Sequence, residues 1–146
     1  MIQTVTALLS AFIGSLGFAL IHNHVGVDIL FASLGGALTW GVYLLSGQFF
    51  ANLFLVNLLA AAFAALYSEI MARFRKLPAT VFVVTSIIPL VPGSGLYDTL
   101  LGMLEKNEQT PVYAVNTLLT AAGIAAGIVL ISVLVKGLSS FLQTRK

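Results

Sequence analysis

The sequence predicts an all-α integral membrane protein: a bundle of about five transmembrane helices with the fourth broken at a proline–glycine segment. Three observations carry this. The chain is 59% hydrophobic and 8% charged, with a mean hydropathy of +1.04, whereas soluble domains carry about 25% charged residues. Its apolar residues form five runs long enough to cross a bilayer at about 1.5 Å per helical residue. The fourth run holds Ile88-Pro89-Leu90-Val91-Pro92-Gly93-Ser94-Gly95-Leu96-Tyr97-Asp98. Pro89 and Pro92 each remove a backbone donor, and Gly93 and Gly95 relax the chain where it must bend. Freed polar backbone at membrane depth survives only where protein buries it or where it lines a wet cavity.

The 146 residues are read as a single transmembrane domain, 1–146. Span 1 covers about residues 5–21, with Gly14 and Gly17 one turn apart, and His22-Asn23-His24-Val25-Gly26 links it onward. Met1-Ile2-Gln3-Thr4-Val5 lacks the basic region of a cleaved signal peptide, so span 1 is expected to be retained. Span 2 covers about 27–45, with the small-residue patch Ser33-Leu34-Gly35-Gly36-Ala37, and Ser46-Gly47-Gln48 reads as a tight turn. Span 3 covers about 49–71 and holds Asn52, Asn57 and Glu69, the last one turn before Arg73 and spaced to pair with it. Arg73-Phe74-Arg75-Lys76 follows, and Pro78 suits the first turn of span 4, which covers 77–104 and breaks near 89–95. Glu105-Lys106-Asn107-Glu108-Gln109-Thr110 is the most polar loop, closed by Pro111. Span 5 covers about 112–135 and carries Gly123-Ile124-Ala125-Ala126-Gly127, a spacing that lets helices approach closely. Residues 136–146 read as an amphipathic or frayed tail.

Loop charge orients five spans. With the N-terminus outside, Arg73, Arg75, Lys76, Lys136, Arg145 and Lys146 all lie inside and Lys106 alone lies outside, as the positive-inside rule favours. A re-entrant fourth segment would break this alternation.

The break is the candidate site. A second half-helix starting near Ser94 or Gly95 presents amides without helical partners and the positive end of its dipole, a place for a carboxylate. Ser94 would cap that helix or donate to a ligand; the competing reading is a capped structural kink. Asp98 lies one turn further on, where a carboxylate must be hydrated, paired or protonated, and is read as proton carrier or as contact for a substrate amino group. Its competing reading is an outward vestibule or a charge balancing the helix dipole. Pro92, Gly93, Ser94, Gly95, Tyr97 and Asn57 are the candidate substrate contacts, with Asn52 and Asn116 as further polar groups within spans.

Several chemistries are excluded. With no cysteine there is no disulfide, thiolate metal site or cysteine nucleophile. His22 and His24 have only Asp28 as a nearby carboxylate, too few ligands for a metal site, and no cofactor is expected. No Walker loop, dinucleotide fingerprint or nucleophile elbow occurs, so neither ATP-driven transport nor a standard hydrolase is indicated. The basic residues sit beside membrane ends, which argues against nucleic acid.

Leu77-Pro78-Ala79-Thr80-Val81-Phe82, followed by Ile87-Ile88-Pro89-Leu90-Val91-Pro92-Gly93-Ser94-Gly95-Leu96-Tyr97, resembles the signature of the threonine/serine exporter family. It is most similar to the half of that family found as a C-terminal domain or a separate small subunit. Phe18-Ala19-Leu20-Ile21-His22-Asn23 and Ala72-Arg73-Phe74-Arg75-Lys76 fall where the family has similar elements. The resemblance implies secondary export of threonine and serine, or of a dicarboxylate such as succinate, driven by the proton gradient across a bacterial inner membrane. It also implies a second membrane subunit supplying the other half. Asp98 lies outside the resemblance. A homo-oligomer, or a non-transporting scaffold whose break is structural, are the alternatives.

Overall fold

The computed structural model describes residues 2–143. Arg145 and Lys146, used above to orient the chain, lie outside them. The helices are α1 (Ile2–Ile21), α2 (Asp28–Phe49), α3 (Leu53–Arg75), α4 (Ala79–Ile87), α5 (Gly93–Glu105) and α6 (Thr110–Gln143), with a 3-10 turn Ile88–Leu90 after α4. Among the described residues four helices are long and apolar enough to cross a membrane, and the bent pair formed by Ala79–Leu90 and Gly93–Glu105 adds a fifth when it is counted as one span.

Two boundaries differ from the sequence reading. Ser46-Gly47-Gln48 is not a turn; α2 continues to Phe49 and the link is Phe50-Ala51-Asn52. The reason is Asn52, which is the cap of α3 rather than a group within it: its Oδ1 accepts from the amides of Phe54 (2.9 Å) and Leu55 (3.4 Å). At the far end, α6 carries on past residue 135 to Gln143.

Small residues set the packing. α2 meets α1 and α4 through adjacent glycines: a Cβ on Gly35 would collide with Ser86 Oγ of α4, and one on Gly36 with Ser15 Oγ of α1. Gly14 and Gly17, by contrast, face open space. Phe82 of α4 is wholly buried against Ala32 and Ala72, and Leu90 is held by Ala60 and Ala61. α6 lies along α3 through Gly123 and Gly127. A Cβ on Gly123 would approach the Phe54 carbonyl at 2.5 Å, and one on Gly127 the Leu58 carbonyl at 2.5 Å and the Ala62 amide at 2.8 Å. Four residues forward on α6 match four residues forward on α3, so the two helices run parallel.

That register decides how the broken span is used. A re-entrant pair would return the chain to the end it left, making α6 antiparallel to α3. The parallel register means that α4, the turn and α5 carry the chain from one end of the bundle to the other. The bend between the two segments is 50°, and at about 1.5 Å per residue the pair still reaches about 30 Å.

At the α3–α4 end, Arg75 Nε donates to Asp28 Oδ1 at 2.5 Å, and the guanidinium lies 5.8 Å from the Phe31 ring centroid. Among the described residues, Glu69 and Arg73 form no such pair. The Arg75–Asp28 bond ties the α1–α2 link to the end of α3, joining two links that five-span alternation places on one face.

Candidate functional site

The break is built by residues that cannot continue a helix. Pro89 sits inside the 3-10 turn, and Pro92 precedes α5 without a side-chain cap. The Gly93 amide turns back to the Val91 carbonyl (2.7 Å) and the Leu96 amide takes the Pro92 carbonyl (3.0 Å). Among the described residues the Ser94 and Gly95 amides have no partner, and Ser94 does not cap its helix. The first turn of α5 therefore opens with free donors at its positive end.

These donors face a cavity of about 300 Å³ lined by Trp40, Tyr43, Asn57, residues 89–92, Ser94, Gly95, Asp98, Tyr113, Asn116, Thr117 and Thr120. Its size is at the lower edge of small-molecule pockets. Ser94 and Asp98 are four residues apart and share one face of α5. Asn57 is 1% exposed, and its Nδ2 donates to the Leu53 carbonyl at 2.8 Å, which leaves Oδ1 for the cavity. Trp40 and Tyr43 stack at 4.7 Å between ring centroids and form an aromatic wall. Tyr113, Asn116, Thr117 and Thr120 form one stripe of α6. Asp98 is the one ionisable carboxylate of the lining, and no Lys, Arg or His lines it.

Of the residues read from the sequence, the structure gathers Pro92, Ser94, Gly95, Asn57, Asp98 and Asn116 around this cavity. Gly93 and Tyr97 do not line it. Tyr97 is exposed on the outer stripe of α5 with Leu96, Leu100, Met103 and Leu104. Asn52 is a helix cap elsewhere. Trp40, Tyr43, Tyr113, Thr117 and Thr120 were missed because each looks like an ordinary span residue; helical spacing back from Asn116 marks only the Tyr113–Thr120 stripe. α5 itself rests on α6. Cβ atoms on Gly95 and Gly102 would each come within 2.5 Å of a hydroxyl, on Thr117 and Thr110 respectively, an antiparallel hairpin register.

Comparison with known proteins gives one result: the family model described as "Threonine/Serine exporter, ThrE" matches residues 7–134. Neither the curated proteins nor the solved structures contain a match. The matched stretch includes all of the break and every residue lining its cavity, and the fold around it is a helical bundle with span-length apolar helices. The chain belongs to the threonine/serine exporter family.

Proposed function

We propose that this chain is one half of a proton-coupled secondary exporter of small hydroxy amino acids, working with a second membrane subunit in the bacterial inner membrane. One observation carries the reading: free Ser94 and Gly95 amides and the Asp98 carboxylate share one face of α5 inside a cavity whose lining holds no cation. A substrate carboxylate takes the amides at the helix terminus and its ammonium takes Asp98. A zwitterion satisfies both ends, whereas a dicarboxylate would set its second charge beside Asp98 with nothing to balance it. Asn57, Asn116 and Thr117 stand ready for a side-chain hydroxyl.

The second subunit is supported by α5, which packs on α6 and leaves Leu96, Tyr97, Leu100 and Met103 more than half exposed. The basic end with Arg73, Arg75, Lys76 and, along parallel α6, Lys136 faces the cytoplasm in this reading, opposite Lys106. The N-terminus is then outside.

Efflux from cells loaded with threonine, serine and succinate tests this, measured with and without the neighbouring membrane-protein gene and with and without an uncoupler. Efflux of the hydroxy amino acids that needs both chains and the gradient is expected. Succinate efflux in preference to threonine would overturn the charge argument, and efflux by this chain alone would overturn the partner.

A further inference from the structure

Asn57 stands at the closed end of the break cavity. It is 1% exposed and belongs to the lining, whereas Ser94, Asp98 and Asn116 of the same lining are exposed. One turn on, along the same face of α3, Ala60 and Ala61 close on Leu90, with Trp40 and Tyr43 packed against them. Asn57 is therefore the last polar group before an apolar core. α6 holds it from the other side: a Cβ on Gly123 would meet the Asn57 Cβ at 3.1 Å.

The hydrogen bonds of this side chain leave one atom over. Nδ2 donates to the Leu53 carbonyl at 2.8 Å, a contact that only the NH2 group of the amide can make, so the amide is held one way round. Among the described residues Oδ1 accepts from no protein donor. It is not sealed in either: the partnerless side-chain atoms closed off from solvent are the hydroxyls of Ser15, Thr39 and Ser86 and Nδ1 of His24. An open acceptor on a side chain this buried faces the cavity that the side chain lines. The other uncharged polar groups nearby are differently placed. Thr117 gives its hydrogen to the Tyr113 carbonyl at 2.8 Å, and its oxygen stands against Gly95 at the α5 end of the cavity. Asn116 is exposed, so water replaces any partner it loses.

We propose that Asn57 Oδ1 accepts the side-chain hydroxyl of the substrate and selects hydroxy amino acids over aliphatic ones of the same shape. This rests on the amino acid reading of the cavity given above. With the charged groups of the substrate at the Ser94 and Gly95 amides and at Asp98, its side chain points inward to Asn57. Water serves Oδ1 while the cavity is empty. A serine or threonine hydroxyl displaces that water and restores the hydrogen bond. Alanine or valine displaces it and leaves a buried acceptor unpaired, which is how a site rejects an analogue that lacks only the hydroxyl. The remaining methyl meets Leu90 and Trp40 in threonine and valine alike, so it carries no selection.

The test uses proteoliposomes containing the chain, with the second subunit where efflux requires it. Half-saturation for exchange is measured with threonine, serine, valine and alanine, in the parent and in Asn57→Leu, which fills similar space without an acceptor. In the parent, valine is expected to bind about a hundredfold more weakly than threonine, and alanine about a hundredfold more weakly than serine. In Asn57→Leu both ratios should fall to about threefold or less, with valine binding better than it does to the parent. That gain is one a damaged fold does not give. Asn57→Ala, on a face of α3 already rich in alanine, makes the same comparison where the leucine variant fails to fold. A parent that carries threonine and valine about equally well overturns the role of Asn57 and leaves the amino acid site standing. So does a variant that loses threonine and valine in equal proportion, because Asn57 then only shapes the cavity. A parent that carries no amino acid overturns the amino acid reading and this inference with it.

Discussion

Gly127 of α6 stands against the backbone carbonyl of Leu58 on α3, so closely that a Cβ would lie 2.5 Å from the oxygen. With Gly123 in the same relation to Phe54, this contact makes α3 and α6 parallel neighbours and requires the broken segment between them to traverse the bundle. The site hangs on that crossing. Asn57 of α3 and Thr120, one turn before Gly123 on α6, are brought to the same cavity by it.

Gly127→Val is expected to destabilise the bundle by about 1–3 kcal/mol, because the clash is with backbone that cannot swing aside. Gly47→Ala, where no heavy atom lies within 4 Å, should leave stability equal or slightly raised. Unfolding in detergent micelles, followed by circular dichroism, measures both; equal effects would contradict the crossing.

Ser94→Leu should abolish threonine export while leaving membrane insertion intact, since the side chain enters the cavity beside the free amides. Normal export from cells in which the variant reaches the membrane would remove the carboxylate site.

Thr117→Val is expected to raise KM for threonine about tenfold, and Tyr97→Ala to leave it within twofold. Both are polar groups near the break, but Thr117 lines the cavity and Tyr97 faces away. Efflux titrated against internal threonine separates them, and a reversed order would show that the cavity is not the binding site.

Asn52→Ala removes the cap from α3 and should cost about 1 kcal/mol. Arg75→Gln removes an exposed ion pair and should lower stability only slightly, the loss shrinking as salt rises. A salt-independent loss in the second case would place the contribution in packing on Phe31.

The break was legible because proline and glycine act locally: Pro89, Pro92 and Gly93 prevent a continuous helix whatever surrounds them. Asn52 was misplaced for the complementary reason. An amide inside an apolar run reads as a buried group, and only the extended backbone before α3 turns it into a cap. Glu69 and Arg73 had the right spacing for an ion pair, yet Asp28, distant in sequence, takes Arg75 instead.

Composition and periodicity alone determined that the chain is a helical membrane bundle, that its fourth span is broken, and that Ser94 and Asp98 share a helix face. These follow from the chemistry of single residues and from spacing within one helix. Tertiary structure decided that the broken span crosses the bundle, that Tyr97 points away, and that Trp40, Tyr43 and the Tyr113–Thr120 stripe close the cavity. The reason is that all of these depend on which helices touch and in what register, and that is set by close approach at Gly35, Gly36, Gly123 and Gly127, where the partner atom belongs to another part of the chain.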